Sequence, residues 1–166
     1  MPLVDIGRKA PAFTLKDSEG QKHSLKDYAG KFVVLYFYPK DDTSGCTKQA
    51  CAYRDQSSAL NDLDAVVVGV SGDSVSSLAL FKEANGLNFT LISDIDGSIA
   101  EQFGVATRGG GSIEREVNGA THTLAREITT LRWTFVINKT GEIVYKDDAV
   151  KATEDTGNVI AILNKV

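Results

Sequence analysis

Two uninterrupted apolar runs stand out in the pattern of hydrophobic and polar positions along the chain. Residues 32–38 (FVVLYFY) and 65–71 (AVVVGVS) consist almost wholly of β-branched, aromatic and small residues. Continuous apolar runs are typical of strands that are covered on both faces of a parallel or mixed sheet. Both runs are therefore predicted to be central strands. Pro39 ends the first one, because proline has no N–H to donate to a sheet ladder.

Segments with helical composition follow each of these strands. Residues 47–60 are rich in Ala, Gln, Lys, Arg and Leu and contain no Pro or Gly, which predicts a helix with Thr43 or Ser44 as its N-cap. Residues 74–86 predict a second helix with capping residues at both ends. A short strand at 88–93 and a short helix at 98–103 continue the alternation. This order of elements places the chain in the α/β class with a central sheet.

The two ends of the chain add hairpins to this sheet. Residues 12–25 alternate around a turn at 17–20 and predict an N-terminal β-hairpin, in which His23 is expected to be polar surface and not a metal ligand. Residues 133–138 and 142–146 predict a C-terminal hairpin at the border of the sheet. A final helix is predicted to start at about Thr153 or Thr156.

Residues 105–131 have the least regular pattern of the chain. The Arg108–Gly111 segment is predicted to be flexible, Asn118-Gly119 to be a turn, and 124–128 to be strand or helix. The three consecutive glycines lack the surroundings of a phosphate-binding loop. The segment is therefore interpreted as a linker or a lid over a site, with His122 in an exposed loop.

Composition restricts the class of protein further. A chain of 166 residues that is 42% hydrophobic and 24% charged fits a single domain over residues 1–166. The net charge of -4 and the absence of basic runs argue against nucleic acid or an anionic membrane as partners. We expect a reducing, cytoplasmic setting, in which two cysteines are catalytic and not a structural disulfide. A processed organelle or periplasmic form would have the same pattern.

Both cysteines of the chain lie directly after the first predicted strand, at Cys46 and Cys51. Cys46 falls in the first turn of the predicted helix, where unpaired N–H groups and the positive end of the helix dipole favour a thiolate. Taken alone, such a cysteine could equally be a small buried hydrophobe. The second cysteine favours redox chemistry.

The spacing of the two cysteines sets a geometric condition on any disulfide between them. Five residues of ideal helix separate Cα atoms by roughly 8 to 9 Å, whereas a disulfide needs less than about 7 Å. A bond between Cys46 and Cys51 therefore requires the first helical turns to unwind. We predict a continuous helix in the reduced protein and a melted one after oxidation.

The motif Pro39-x-x-x-Thr43-x-x-Cys46 resembles the active-site signature of the peroxiredoxins, and a cysteine five residues later resembles their bacterioferritin-comigratory, or PrxQ, branch. Residues 7–15, 23–31 and 132–138 are similar to further segments of that family. The resemblance implies a thioredoxin-like fold, with a central mixed sheet flanked by helices and an N-terminal hairpin. Thr43 then stands where thioredoxin has its first active-site cysteine.

The resemblance also implies a role for each residue of the site. Cys46 attacks hydrogen peroxide or an organic hydroperoxide and becomes a sulfenic acid. Thr43 hydrogen-bonds the peroxide, Arg132 supplies fixed positive charge, and Pro39 shapes and shields the pocket. Cys51 then forms the disulfide, which thioredoxin or a similar dithiol reduces. No prosthetic group is needed, and the branch favours a monomer.

Other interpretations of the same residues remain open. Thr43 could be a simple N-cap, Arg132 a surface ion-pair partner and Pro39 a strand terminator alone. A metal or iron–sulfur module is disfavoured, because two cysteines and two unplaced histidines fall short of four ligands. A redox sensor or dithiol-binding module could use the same pair of cysteines without fast turnover, and Cys46→Ser separates that sensor from an enzyme.

Overall fold

Strands and helices alternate along most of the chain, which a computed structural model describes at residues 6–39, 44–117 and 119–165. The strands in this part are β1 (Thr14–Lys16), β2 (Lys22–Ser24), β3 (Phe32–Phe37), β4 (Ala65–Ser71), β5 (Thr90–Ser93), β6 (Thr107–Val117), β7 (Ala120–Thr130), β8 (Trp133–Ile137) and β9 (Ile143–Asp147). The α-helices are α1 (Ser44–Asp55), α2 (Ser57–Asp62), α3 (Val75–Asn85), α4 (Ser98–Gln102) and α5 (Asp155–Leu163). None of these helices combines the length and the apolar character that a membrane span requires.

Five strands form the central sheet in the order β5, β4, β3, β8, β9. Strand β3 pairs in parallel with β4, and β4 with β5. Strand β8 runs antiparallel to β3, and β9 antiparallel to β8. The sheet is therefore mixed, with the C-terminal hairpin at one edge, as predicted.

The uninterrupted apolar run of β3 is explained by burial on both faces of the sheet. Val34 and Tyr36 point to one face, where they pack with buried residues of α1, α3 and α5. Val33, Leu35 and Phe37 point to the other face, where they pack with residues of α4 and the N-terminal segment. Because successive side chains of a strand alternate between faces, a strand with two covered faces needs apolar residues at every position.

The N-terminal hairpin forms as predicted, with β1 and β2 paired in antiparallel register. The prediction for His23 was wrong in one respect, because this side chain is half-buried and bonded at both ring nitrogens. Its Nε2 lies 2.6 Å from Asp17 Oδ2 and its Nδ1 lies 2.8 Å from the Tyr28 hydroxyl. His23 therefore joins the turn of the hairpin to the 3-10 turn at Leu25–Tyr28.

Residues 105–131 form neither a linker nor a flexible glycine segment. Strands β6 and β7 pair antiparallel over their full length as a separate two-stranded hairpin. The glycines that follow Arg108 lie within β6, and His122 lies in β7 and not in a loop. Gly119 forms part of the predicted turn, with a positive φ of 82°, and Asn118 lies outside the described residues.

The helix predicted over residues 47–60 is divided in two. It begins at Ser44, which is thus the first helical residue and not the cap, and the alternative cap Thr43 lies outside the described residues. At Gln56 the backbone leaves helical geometry, with φ of -97° and ψ of 12°, and α2 continues from Ser57. The part that carries both cysteines is nevertheless one continuous helix.

Candidate active site

Cys46 lies where β3 ends and α1 begins, on the buried side of the helix. It is the third residue of α1, in the first turn, and its side chain is only 1% exposed. The first-turn N–H groups of a helix have no intrahelical partners, and the helix dipole places partial positive charge at this end. The sulfur therefore lies at the end of the helix that stabilises nearby negative charge. Pro39 follows β3 and is half-buried.

Arg132, the residue before β8, lies beside this thiol. Its Nη2 donates to Cys46 Sγ at 3.3 Å, and its Nη1 donates to the side-chain oxygen of Gln49 at 2.6 Å. The planar guanidinium thus spans the sulfur and a second residue one helical turn further along α1. The structure thus places Arg132, one of the residues singled out in the sequence, in contact with the Cys46 sulfur.

Contacts near the end of β7 hold Arg132 beside the Cys46 thiol. Near the end of β7, Thr130 Oγ1 donates to the carbonyl of Tyr38, directly before Pro39, at 2.9 Å. Ile128 packs against Gly72 so closely that a Cβ on that glycine would clash with the Ile128 carbonyl oxygen. The end of β7 is therefore tied to the end of β3, two residues before Arg132.

Gly45 allows the guanidinium to approach the helix closely. A Cβ at this position would lie 3.2 Å from Arg132 Nη2, which is tighter than ordinary van der Waals contact. A side chain at position 45 would require the guanidinium to shift by a few tenths of an ångström. Local sequence gives no sign of this role for Gly45, because Arg132 lies far along the chain.

A buried polar cluster behind the guanidinium was also missed from the sequence. The Nε2 of Gln49 donates to Asp155 Oδ2 at 2.8 Å, and the Tyr53 hydroxyl donates to the same oxygen at 2.6 Å. Thr134 Oγ1 is the third donor, at 2.9 Å. Burial raises the pKa of Asp155, and burial together with the nearby carboxylate holds the pKa of Tyr53 well above its ordinary value. The Tyr53 hydroxyl therefore stays protonated and donates.

Cys51 lies in the same helix but in a different environment. Its thiol is half-buried, with Sγ 4.0 Å from Asn85 Oδ1 at the end of α3. Arg54, one turn further on, donates from Nη1 to the Asn85 carbonyl at 2.5 Å. Both thiols are free, and α1 is continuous between them. This is the arrangement predicted for the reduced protein.

Of the five residues singled out in the sequence, the structure brings Cys46 and Arg132 into direct contact. Pro39 precedes the undescribed residues 40–43, and Thr43 is one of them. Cys51 follows Cys46 by more than one helical turn. Within the described ranges, no three His, Cys, Asp or Glu side chains are grouped as metal ligands would be.

Comparisons with known proteins find relatives over most or all of the chain. The model of the AhpC/TSA family matches residues 6–146. The putative peroxiredoxin bcp of Haemophilus influenzae is 40% identical over 166 residues and covers 100% of both chains. The crystal structure of peroxidoxin BcpB from Mycobacterium tuberculosis superposes with a TM-score of 0.81 at 30% identity, over 98% of each chain. The bacterioferritin comigratory protein of Xanthomonas campestris, described for its alkyl peroxide reduction activity, has a TM-score of 0.78 at 30% identity, over 97% of this chain and 98% of its own.

Proposed function

The chain belongs to the AhpC/TSA family and has the thioredoxin-like fold of its Bcp and PrxQ peroxiredoxins, and from that premise we propose how its own residues carry out the reaction. The protein is a thiol-dependent peroxidase. A peroxide is its substrate and a thiol compound its reductant. The observation on which the assignment of residues rests is the contact between Arg132 Nη2 and Cys46 Sγ, 3.3 Å apart, in the first turn of α1.

In the first step the Cys46 thiolate attacks one oxygen of the peroxide. The S–O bond forms as the O–O bond breaks, so that the sulfur becomes a sulfenic acid and the leaving oxygen departs as hydroxide or alkoxide and takes up a proton. Arg132 stabilises the negative charge that moves from the sulfur to the leaving oxygen, because a guanidinium keeps its charge at every relevant pH. The fixed position of Arg132 removes the need to reorganise solvent during the step.

We assign two further residues to this step on the strength of the family motif. Thr43 is proposed to hydrogen-bond the peroxide, and Pro39 to close one side of the pocket. The half-buried position of Pro39 at the end of β3 is consistent with this role. We propose hydrogen peroxide and organic hydroperoxides as substrates, in line with the alkyl peroxide activity described for the Xanthomonas campestris protein.

In the second step Cys51 is proposed to resolve the sulfenic acid. Its thiol gives up a proton and its sulfur attacks the Cys46 sulfur, so that the S–S bond forms as the S–O bond breaks and the hydroxyl leaves with that proton as water. The Cys51 sulfur is oxidised and the sulfenic sulfur is reduced, so no further oxidant is needed. Because both cysteines lie in one continuous helix, α1 must unwind between them for the sulfurs to meet. A dithiol reductant then reduces the disulfide and is itself oxidised. We propose thioredoxin for this partner.

We also propose a single domain, a monomeric state and a cytoplasmic setting. Five strands between residues 32 and 147 (β3, β4, β5, β8 and β9) share one sheet, and elements from both ends of the chain cover its faces, which supports one domain over residues 1–166. The monomer rests on the resemblance to the PrxQ branch. The cytoplasmic setting rests on the need for a reductant that keeps both cysteines reduced.

Turnover with a reducing system tests this proposal. The reduced protein is mixed with hydrogen peroxide, thioredoxin, thioredoxin reductase and NADPH, and NADPH consumption is followed for the natural protein and for Cys46→Ser. We expect rapid consumption that the substitution abolishes. A protein that is oxidised once but shows negligible turnover would instead be the sensor or dithiol-binding module.

A further inference from the structure

Three elements of the fold meet at one oxygen of Asp155, the first residue of α5. Asp155 is fully buried, and its Oδ2 accepts hydrogen bonds from Gln49 and Tyr53 of α1 and from Thr134 of β8. The residue before β8 is Arg132. The carboxylate therefore joins the cysteine-bearing helix to the strand that follows the active-site arginine.

The donors and acceptors of this cluster leave Gln49 one possible orientation. A guanidinium only donates hydrogen bonds, so Gln49 must present its oxygen to Arg132. Its amide nitrogen then points the other way and needs an acceptor, which is Asp155 Oδ2 at 2.8 Å. The acceptor at position 155 therefore holds Gln49 in the orientation in which its amide oxygen faces the arginine.

Packing alone does not explain why a carboxylate is buried at position 155. Asp155 Oδ1 is buried without a hydrogen-bond partner among the described residues, and burial raises the pKa of this side chain. An apolar residue of similar size would avoid that desolvation penalty. A buried polar group with an unsatisfied oxygen calls for a functional reason.

We propose that Asp155 is a positioning residue for the peroxidase reaction, which acts through Gln49 to hold the Arg132 guanidinium against the Cys46 sulfur. Asp155 itself touches neither the sulfur nor the site of the peroxide. It acts through two hydrogen bonds: Gln49 donates to Asp155, and Arg132 donates to Gln49. The inference rests on the proposed roles of Cys46 and Arg132 in the first step.

The test measures the second-order rate constant of Cys46 oxidation in single-turnover experiments, with rapid quench and intact-mass analysis. Asp155→Ala removes the acceptor and is expected to lower this rate constant by about tenfold to a hundredfold, since small displacements of a positioning group cost that much. Asp155→Asn keeps an oxygen that can accept the same bonds and is expected to stay within about threefold of the natural protein.

Thr134→Val is the matched control for loss of a buried hydrogen bond. It removes a donor from the same Asp155 oxygen but leaves the bond between Gln49 and Asp155 in place. Its rate constant is expected to stay within about twofold of the natural protein, even where thermal unfolding shows a loss of stability. In a Gln49→Met background, Asp155→Ala should have no further effect on the rate, because residues that act through one link are not additive.

Circular dichroism establishes which variants are folded. If Asp155→Ala does not fold, Asp155→Ser replaces it, because a serine hydroxyl lies one bond closer to the backbone than the carboxylate oxygen and falls short of Gln49. A folded Asp155→Ala or Asp155→Ser with the natural rate constant would overturn the inference. Equal losses in Asp155→Ala and Thr134→Val would also overturn it, since they would mark a general effect of destabilisation. Slow oxidation of the natural protein would instead refute the proposed function.

Discussion

Removal of the Arg132 guanidinium is the perturbation whose effect can be worked out most directly from the structure. Arg132→Met keeps most of the length of the side chain but removes the charge and the hydrogen bonds to Cys46 and Gln49. Arg132→Lys keeps the charge but cannot reproduce the planar fork that spans both partners. The pair of variants therefore separates the contribution of charge from that of geometry.

The size of the effect follows from the distance between the charges. Two unit charges 3.3 Å apart attract by about 5 kcal/mol at an effective dielectric constant of about 20. Competition with water reduces the net value, and charged hydrogen bonds contribute about 1.5 to 3 kcal/mol in practice. If the transition state loses that much stabilisation, the first oxidation step slows by roughly tenfold to 150-fold in Arg132→Met. Arg132→Lys is expected to lose about tenfold.

Single-turnover oxidation of Cys46, followed by rapid quench and mass spectrometry, is the assay. Arg54→Met is the control, because Arg54 also lies in α1 but hydrogen-bonds to Asp55 and to the Asn85 carbonyl and not to Cys46. This control should keep the natural rate of the first step. An Arg132→Met protein that is folded and reacts within about twofold of the natural rate would refute the argument that the guanidinium stabilises the reacting charge.

Three further predictions concern other parts of the structure. Gly45→Ala places a methyl group 3.2 Å from the active-site guanidinium and should slow the first step by about threefold to tenfold, whereas Gly157→Ala, whose added methyl meets no atom within 4 Å, should leave the rate unchanged in the same assay. Cys51→Ser should keep the first step fast and make the peroxidatic sulfur overoxidise to the sulfinic acid, seen as a mass gain of two oxygens under excess peroxide; loss of the first step would contradict the assigned roles. Burial alone would raise the pKa of Asp17, but hydrogen bonds from two N–H groups of its turn and the neighbouring His23 hold that pKa below its ordinary value. The ionised carboxylate therefore stabilises the fold at pH values above the pKa of Asp17 in the unfolded chain. This stabilisation is lost as the pH falls through the pKa of Asp17 in the folded protein. Asp17→Asn should therefore lower the free energy of unfolding at neutral pH by about 1 to 2 kcal/mol, with a difference from the natural protein that shrinks below about pH 4 in urea titrations; a difference independent of pH would refute this.

The parts of the fold that local sequence determines were predicted well. Strand β4 was predicted with the bounds that the structure has, because an uninterrupted β-branched run leaves few alternatives. Helix α3 was predicted with its caps: Ser74 accepts a hydrogen bond from the Ser77 N–H, and Gly86 adopts the left-handed conformation. The position of Cys46 followed in the same way, from a strand end and a helix start that are close in the sequence.

The parts that depend on distant partners could not be predicted from local patterns. Strand β6 contains consecutive glycines, which have low strand propensity, and it is held by pairing with β7. Asp155 lies 106 positions from Gln49, and nothing in a single sequence indicates that they meet. His23 is a different case, because its partner Asp17 is only 6 positions away across the predicted turn and could have been recognised from the hairpin register.

The proposed reaction requires a reactive Cys46 whose sulfenic acid is resolved by Cys51 as α1 unwinds. The most direct test mixes the fully reduced protein with one equivalent of hydrogen peroxide and follows intact mass by rapid quench. We predict fast loss of two hydrogens, with a peptide map that links Cys46 to Cys51 inside one chain and with faster amide hydrogen exchange across α1 in the oxidised protein. Oxidation no faster than that of an ordinary free thiol, or a disulfide between two chains, would contradict the account.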